Sequence, residues 1–434
     1  MSANAVGADA SPHGPPGARY LCPWQDRRMD DAALTKLLQP EGWGLLNAMP
    51  PYEEKLAMAM SGSLRDKGVD PDLVAAVLTQ SRLRTRGREK FGEFADGMLF
   101  TPAGLEQATR LSVGAQHAGR FRAAGTQKIA DLTCGIGADS MAFAASGLRV
   151  LATEIDELTA AIATVNLRHF PEAEVRLGDG LALDLTAEGV DGVYADPARR
   201  TSSGKRVFDP RAYEPPLDAV WALRDAVPAL GIKVGPGIAH DGLPADAEAQ
   251  WVSLDGDVVE AGLWFGPLAP DGPGRSALVL VTTPEGVRGH AVPPVTGPDL
   301  ADAGPLQDYL YEPDGAVIRS GRVATVAREL DGHLLDPTIA YVTTAHPRPG
   351  YALARGYRVL DVMPFGLKRL RTYLRERDVG RLTIKKRGTA IVPEQLRKQL
   401  DLRGSSERTI VCTRVAGAQS VIVVEPLAAD HQDG

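Results

Sequence analysis

The stretch Ile129–Ser140 constrains the fold of this 434-residue chain more than any other. Its first residues are apolar except for Asp131, and Gly135 and Gly137 follow before the polar residue Asp139. This order predicts a buried strand, a glycine turn and the start of a capped helix. Such a turn lets a ligand approach the backbone closely at a helix N-terminus. The sequence therefore predicts a pocket for a nucleotide-like ligand, with a fixed negative charge beneath it.

Short apolar runs alternate with helical segments after residue 126, which is typical of a parallel sheet with crossover helices. No helix-length segment separates the last two runs, and this predicts an antiparallel hairpin that closes the sheet. We expect strands near 128–133, 148–154, 173–177, 190–195, 229–234, 256–265 and 276–282.

The chain on either side of this predicted sheet has a different pattern. Upstream, Asp70-Pro71-Asp72 and Thr101-Pro102 are typical of helix starts. Because 434 residues exceed the size at which one hydrophobic core stops growing, we expect several domains. The predicted divisions are a disordered tail over 1–28, a helical N-terminal domain over 29–125, a ligand-binding domain with a transitional segment over 126–335, a basic α+β domain over 336–426, and a tail over 427–434.

Carboxylates end four successive predicted strands. They are Asp131, then Glu154 beside Ile155, then Asp179 beside Gly180, and then Asp196 beside Pro197. The carboxyl ends of parallel strands meet at one edge of an open α/β sheet, which is where such sheets bind ligands. Four unrelated turn residues would give the same pattern, but the constellation favours a binding site.

Two cofactors compete for a site of this kind. A nicotinamide dinucleotide carries a negative pyrophosphate, which Asp131 would repel. S-adenosylmethionine carries an ammonium and a sulfonium, which Asp131 would attract. The sign of the charge therefore favours S-adenosylmethionine.

These motifs resemble those of class I S-adenosylmethionine-dependent methyltransferases over about 126–283. A tighter likeness, to the bacterial group that carries a THUMP-like C-terminal domain, takes in Phe100-Thr101-Pro102, Glu106-Gln107-Ala108 and Tyr309–Pro313. The resemblance implies an α/β fold with a Rossmann-like, seven-stranded sheet, a helical N-terminal region and a small α+β C-terminal domain. Since the last domain is related by name to an RNA-binding module, it also implies an RNA substrate.

The resemblance assigns roles to individual residues of the pocket. Asp131 would bind the cofactor's amino group, Glu154 its ribose hydroxyls and Asp179 its adenine amino group. Gly135 and Gly137 would flank the methionine part. The other residues expected to bind the cofactor are Cys134, Ile155 and Gly180.

At the acceptor side, we expect Asp196, Pro197 and Arg199 to form the catalytic group. Many amino-group methyltransferases have a second proline and an aromatic residue after Asp-Pro, whereas this chain has Ala198 and Arg199. Tyr213 is a candidate for the missing aromatic. Arg200 and Lys205 are expected to hold substrate phosphates, although pairing with nearby carboxylates is the alternative.

A strongly basic segment lies near the end of a chain whose net charge is −7. Between Phe365 and Arg403 the net charge is +8, from twelve positive and four negative residues. This imbalance is typical of a nucleic-acid-binding surface, and we expect Lys385, Lys386 and Arg387 to point outward and bind RNA. A second basic run, Arg82 to Lys90, is equally compatible with phosphate binding and with a solvated helix face.

The sequence also bears on other classes of protein. The three cysteines are far apart and the eight histidines are scattered, which gives no support for a disulfide framework or a metal site. No apolar run is long enough to span a membrane, and we expect a cytoplasmic protein. An RNA methyltransferase is the leading hypothesis. A methyltransferase of proteins or small molecules, and a catalytically idle RNA-binding protein, are the alternatives.

Overall fold

The computed structural model describes residues 31–199 and 213–427. The chain divides into two compact units between Arg110 and Leu111. The predicted tail over 1–28 lies outside the described residues, as does the predicted tail over 427–434 except for Leu427. Within the described ranges, none of the helices has the length and hydrophobicity of a membrane span.

The described part of the first unit is helical, as expected. The carboxylate of Asp70 accepts hydrogen bonds from the backbone N–H groups of Asp72 and Leu73, and the hydroxyl of Thr101 accepts one from Gly104. Both predicted helix starts are therefore confirmed. The helices of this unit are α1 Asp31–Leu38, α2 Pro40–Asn47, α3 Glu54–Asp66, α4 Pro71–Phe91 and α5 Pro102–Gln107.

The basic run along α4 is largely engaged inside the first unit. Arg84 is buried and donates a hydrogen bond to the carbonyl of Met98. Arg88 pairs with Asp96 at 2.6 Å, and Lys90 donates to two backbone carbonyls. These three cations hold the unit together, which favours a structural role over phosphate binding.

The second unit begins with a nine-stranded sheet. The strands are β1 Lys128–Asp131, β2 Arg149–Glu154, β3 Ala173–Leu177, β4 Gly192–Ala195, the short β5 Ala198–Arg199 and β6 Tyr213–Glu214 outside this sheet, β7 Leu230–Val234, β8 Glu248–Leu254, β9 Asp257–Trp264, β10 Gly274–Thr283 and β11 Gly286–Val295. Their order in the sheet is β11-β10-β8-β9-β7-β4-β1-β2-β3. The strands β3, β2, β1, β4 and β7 are parallel, and the α/β class is confirmed. The helices are α6 Leu111–Ala123, α7 Ala138–Ala145, α8 Glu157–Leu167 and α9 Leu217–Ala222.

The prediction that the strands near 256–265 and 276–282 pair as a hairpin is wrong. The strand β9 pairs antiparallel with β8, through a turn at Asp255 and Gly256, whereas β10 is parallel to β8 and antiparallel to β11. The sequence pattern missed β8 because Glu248 and Gln250 are buried within it, although such residues usually mark exposed positions. The sheet consequently has two strands beyond the expected seven.

A second sheet follows along the chain. Its elements are β12 Tyr309–Pro313, α10 Gly315–Ser320, α11 Val323–Glu329, β13 His333–Asp336, β14 Ile339–Thr344, β15 Ala354–Pro364, α12 Leu367–Arg375, β16 Val379–Lys386, α13 Pro393–Leu400, β17 Ser406–Val415 and β18 Ala418–Pro426. The strand order is β13-β14-β12-β15-β18-β17-β16. Strand β12, the first of them in the chain, comes from the segment predicted to be transitional and lies between β14 and β15.

One hydrophobic cluster joins the two sheets of the second unit. Trp251 and Ala277 of the first sheet belong to the same buried cluster as Tyr311 and Val342 of the second. At the edge of this cluster, the hydroxyl of Ser253 donates a 2.6 Å hydrogen bond to Asp314, just before α10. The second sheet is therefore packed against the first and is not a separately tethered module.

Candidate active site

The glycine turn connects β1 to α7. Gly135 and Gly137 have φ angles of 55° and 87°, in the left-handed region that favours glycine. A side chain built at Gly135 would meet no atom within 4 Å, so this part of the backbone faces open space. Its N–H donates a 3.0 Å hydrogen bond to the carboxylate of Glu154 at the end of β2. The turn and the second strand thus form adjoining walls of one site.

Glu154 is held by both of its oxygens. One accepts from Gly135 and the other accepts from the N–H of Asp156, both at 3.0 Å. Each carboxylate oxygen keeps a further lone pair, so the group can accept two hydroxyls of a ligand. The next residue, Ile155, is 74% exposed. An exposed apolar side chain beside a fixed carboxylate suits a nucleoside, which has an apolar face and a polar edge.

The end of β3 continues this wall. Asp179 is exposed, and one of its oxygens accepts a 2.9 Å hydrogen bond from Leu181, which leaves the other for a ligand. Gly180 is buried, and a Cβ there would lie 2.5 Å from the carbonyl oxygen of Leu132. Glycine is needed at this position because the chain passes directly against the backbone after β1. Leu177, on the other side of Asp179, is 58% exposed.

Asp131 lies beneath the turn and is almost fully buried. It accepts a 2.5 Å hydrogen bond from the hydroxyl of Ser140. Burial raises the pKa of Asp131 to about 7, the Ser140 hydrogen bond opposes the shift, and the charge of Asp139 adds to it. Asp131 is thus an acidic group that a bound cation would strongly favour in its charged form.

Cys134 contributes packing and backbone contacts to the turn. Its side chain lies in the hydrophobic cluster between the sheet and its helices. Burial raises the pKa of its thiol well above the ordinary value, so the thiol stays neutral. Its N–H donates a 3.0 Å hydrogen bond to the carbonyl of Thr153, which fastens the turn to β2.

Asp196 stands at the end of β4 and forms an ion pair that the sequence did not indicate. Its N–H donates a 2.7 Å hydrogen bond to the hydroxyl of Thr133, and its carboxylate lies 2.5 Å from the ammonium of Lys233 on β7. Burial raises the pKa of Asp196, although Lys233 opposes this. Burial disfavours the charge of Lys233, but Asp196 and other carboxylates raise its pKa. The sequence signal for Lys233 is a single lysine within an otherwise apolar strand.

A second buried charge cluster lies behind the turn. The Nδ1 atom of His117 is 2.9 Å from Asp139, and its Nε2 atom is 2.6 Å from Glu260. Burial disfavours the imidazolium, but the carboxylates of Glu260 and Asp139 raise the pKa of His117 to about 10. Sequence reasoning missed His117 and Glu260 because they come from α6 and β9, far apart in the chain.

Only some of the residues predicted for the acceptor side lie within the described ranges. Arg200 and Lys205 lie outside the described residues. Pro197 is buried, and the backbone of Arg199 pairs with that of Tyr213 in the short β5–β6 ribbon. The side chain of Tyr213 is buried in the hydrophobic cluster of the sheet. It therefore does not supply the missing aromatic face.

The three basic residues predicted at the end of β16 are not equivalent. The ammonium of Lys385 lies 2.5 Å from Glu312 on β12, and Arg387 is 3.8 Å from the other oxygen of the same carboxylate. Both side chains are half-buried, whereas Lys386 is exposed. The expectation that all three point outward is correct for Lys386 alone, because β12 brings a carboxylate next to the other two.

The residues gathered at this edge of the sheet suit a nucleoside ligand that carries positive charge. Asp131, Glu154, Asp179 and Asp196 converge on the carboxyl edge of the sheet, and Lys233 is the cation paired within this group. The excess of carboxyl groups attracts a cation and repels a pyrophosphate. Gly135 leaves open space for the ligand, and Ile155 provides an apolar surface. S-adenosylmethionine matches this set, as the sequence predicted.

Comparisons with known proteins agree with this geometry. A crystal structure of a putative methyltransferase from Porphyromonas gingivalis W83 superimposes with a TM-score of 0.67 over 88% of this chain and 100% of that one. At 23% identity it shows a common fold. Residues 354–426 match the family described as THUMP domain-like, and residues 30–87 match a domain of unknown function, DUF8688.

The sequence comparison is more specific. An uncharacterized S-adenosylmethionine-dependent methyltransferase found in two strains of Mycobacterium tuberculosis is 35% identical over 351 residues. The match covers 78% of this chain and 92% of that protein. Shared identity at this level and over this length shows the family. The chain belongs to the S-adenosylmethionine-dependent methyltransferases, and it carries a THUMP-like domain at its C-terminal end.

Proposed function

We propose that this enzyme methylates a nucleotide in structured RNA, such as ribosomal or transfer RNA. The observation that carries the proposal is the set of exposed basic side chains on α12, α13 and the end of β16 of the THUMP-like domain. The THUMP-like family is related by name to an RNA-binding module, and a basic surface on an acidic protein is what a polyanion would select.

The cations of this domain fall into two groups. Some are engaged within the protein: Arg371 donates to the carbonyl of Gln399, and Arg375 donates to that of Asp401 at 3.0 Å. Others are exposed and have no carboxylate partner within the described ranges, namely Lys368, Arg369, Lys386 and Lys398. This second group is the basic patch that we assign to phosphate contacts.

The two sheets are packed together, which would hold an RNA bound on the second sheet at a fixed position relative to the active site. Helix α10 lies against the first sheet, and Arg319 at its end donates a 3.3 Å hydrogen bond to the carbonyl of Pro236. Pro236 follows β7, the strand that carries Lys233. Strand β12 of this shared core pairs with β15, the first strand of the THUMP-like domain. RNA held on the basic patch would therefore meet the active site in a fixed geometry.

The residues of the pocket would hold the cofactor as the resemblance implies. Asp131 would bind its ammonium, Glu154 its ribose hydroxyls and Asp179 its adenine amino group, with Ile155 against the adenine face. Cys134, Gly135, Gly137 and Gly180 would shape the surrounding backbone. When bound, the cofactor supplies an activated methyl group. The protein's own contribution is alignment and exclusion of water, and Asp196, Pro197 and Arg199 would face the acceptor.

Two measurements test this proposal. The nucleosides of ribosomal and transfer RNA are compared by mass spectrometry with and without the gene, and the purified full-length protein is incubated with labelled cofactor and RNA from the deletion strain. We expect one methylated nucleoside to be lost in the deletion and restored by the protein, but not by the Asp131→Ala variant. Label in the protein or small-molecule fraction would favour the other acceptors, and absence of cofactor binding in calorimetry would favour an idle RNA-binding protein.

A further inference from the structure

The pair Asp196–Lys233 lies where an acceptor must enter. Ala195 on β4 is opposite Ile232 on β7 in parallel register, so the next residue of each strand, Asp196 and Lys233, emerges at the carboxyl edge of the sheet. The side chain of Asp196 is 32% exposed and that of Lys233 is 12% exposed. The two groups are thus accessible from the same edge that carries the cofactor pocket, and their charges are already fixed relative to each other.

An exocyclic base amine is poorly matched to this pair. Its N–H groups are donors and need free acceptor oxygens, but one oxygen of Asp196 is already engaged by Lys233. The nitrogen also gains positive charge as its lone pair attacks the methyl carbon. A neighbouring ammonium destabilises that charge, because like charges in a water-poor site repel strongly.

A base acceptor would also need a stacking surface, and two candidates for it are absent from this position. Ala198 stands where many amino-group methyltransferases have the second proline of their motif. Tyr213 is buried in the hydrophobic cluster of the sheet. Neither residue offers an aromatic face to a base.

A hydroxyl acceptor fits the same two groups. Its oxygen has two lone pairs, so one can accept a hydrogen bond from an ammonium while the other attacks. Its proton can be donated to a carboxylate, which prevents positive charge from building up on the oxygen. The ammonium then stabilises the negative charge that develops as the proton leaves.

We propose that the acceptor is the 2′-hydroxyl of a ribose in RNA, with Asp196 as the base and Lys233 as the cation that binds the acceptor oxygen. This inference rests on the proposed function. In the reaction, the hydroxyl oxygen forms a bond to the methyl carbon and the hydroxyl proton passes to Asp196. The carbon–sulfur bond breaks with both electrons retained by sulfur, so the products are a 2′-O-methyl ribose and the neutral thioether.

The chemistry of 2′-O-methylation provides a direct test. RNA from the deletion strain is labelled by the full-length protein and digested with alkali, which cleaves only where a free 2′-hydroxyl is present. We expect the label in alkali-resistant dinucleotides. Label in mononucleotides, on a base, would overturn this inference and leave the proposed function intact. Absence of label from RNA would overturn both.

Variants of Lys233 test its role. We expect Lys233→Met to lower kcat by about 100-fold or more, a typical contribution of a group that stabilises negative charge developing on an oxygen. Lys233→Arg keeps the charge and should recover part of this loss. The control is Lys55→Met, since Lys55 is 79% exposed on the first unit. Calorimetry and thermal melting accompany each variant: full activity in a folded Lys233→Met protein would overturn the assignment, as would a loss explained entirely by weaker cofactor binding.

Discussion

The Nδ1 atom of His117 lies 2.9 Å from the carboxylate of Asp139, so that a buried ion pair joins α6 to the first turn of α7. On the opposite side of the ring, Glu260 fixes the same imidazole to β9. The glycine turn immediately precedes α7, and its position therefore depends on this cluster. The buried His117 thus helps to fix the backbone of the glycine turn.

We expect His117→Gln to lower the free energy of unfolding by about 3–5 kcal/mol, because it leaves two buried carboxylates without a cation. The pKa of His117 is about 10 in the folded protein and about 6.5 when unfolded. Its stabilising contribution is therefore complete below about pH 6.5 and is lost as the pH rises through about 10. Chemical denaturation across this range should show the difference between the two proteins shrinking with pH.

The exposed His169 provides the matched control for this experiment. His169→Gln should change the free energy of unfolding by less than about 0.5 kcal/mol at every pH. If the effect of His117→Gln were the same at all pH values, the imidazolium would not be the source of the stabilisation.

Asp131 should make cofactor binding dependent on pH. Its pKa is about 7 in the free protein, so it is only partly charged at neutral pH, and the affinity for a cationic cofactor should rise as the pH rises through this value. Asp131→Asn should weaken binding by more than about tenfold, or 1.4 kcal/mol, and flatten this dependence. Calorimetry at several pH values measures both effects. Asp66→Asn, at the end of α3, should leave the affinity unchanged, and an unaltered pH dependence in Asp131→Asn would assign the titration to another group.

Ile155 should contribute to cofactor affinity without contributing to stability. It is 74% exposed, so Ile155→Asn should change the free energy of unfolding by less than about 0.5 kcal/mol. The affinity should fall roughly tenfold, because part of a buried isoleucine's transfer free energy is lost. Leu300→Asn is the control, since Leu300 is 79% exposed and belongs to the segment between β11 and β12. Equal effects of the two substitutions on cofactor affinity would argue against an apolar wall at Ile155.

The placement of the four carboxylates at one edge of the sheet was predictable because they follow the chain order of a parallel sheet. Each carboxylate comes at the end of its own strand, so local sequence places Asp131, Glu154, Asp179 and Asp196 at one edge without knowledge of packing. Gly135 and Gly137 indicated the turn after the first of these strands. Those predictions needed only the period of the apolar residues and the sign of one charge.

The residues that were missed depend on contacts between distant elements. His117, Lys233 and Glu260 each look unremarkable within their own element, and only the strand order and the packing of α6 bring them together. The same reason explains Lys385, whose partner Glu312 lies on a strand inserted into the middle of the second sheet. The periodicity of apolar residues assigns charged residues to the solvent-exposed face of a helix or strand. It therefore gives little indication of charged residues that are buried and paired with another element.

Gly180 should tolerate no side chain. A Cβ there would lie 2.5 Å from the carbonyl oxygen of Leu132, which belongs to the backbone and has little room to move. Gly180→Ala should therefore lower the free energy of unfolding by about 1–3 kcal/mol. Gly119→Ala is the opposite case, since nothing lies within 4 Å of a Cβ on this face of α6, and it should stabilise the protein by about 0.5–1 kcal/mol. A neutral Gly180→Ala would show that the backbone after β1 shifts to make room.

Lys385 and Lys386 are neighbours in sequence but should have separable roles. Lys385 is half-buried against Glu312, so Lys385→Met should lower the free energy of unfolding by about 1–2 kcal/mol, because the carboxylate loses its partner. Lys386 is exposed, and Lys386→Met should leave stability unchanged. Instead it should weaken RNA binding and reduce the slope of log affinity against log salt by about 0.7–0.9, the loss of one phosphate contact. Filter binding at several salt concentrations measures the RNA affinity of both variants, and chemical denaturation measures their free energies of unfolding. If Lys385→Met weakened RNA binding and changed the salt slope as much as Lys386→Met does, both lysines would contact the RNA. The ion pair with Glu312 would then not be the main role of Lys385.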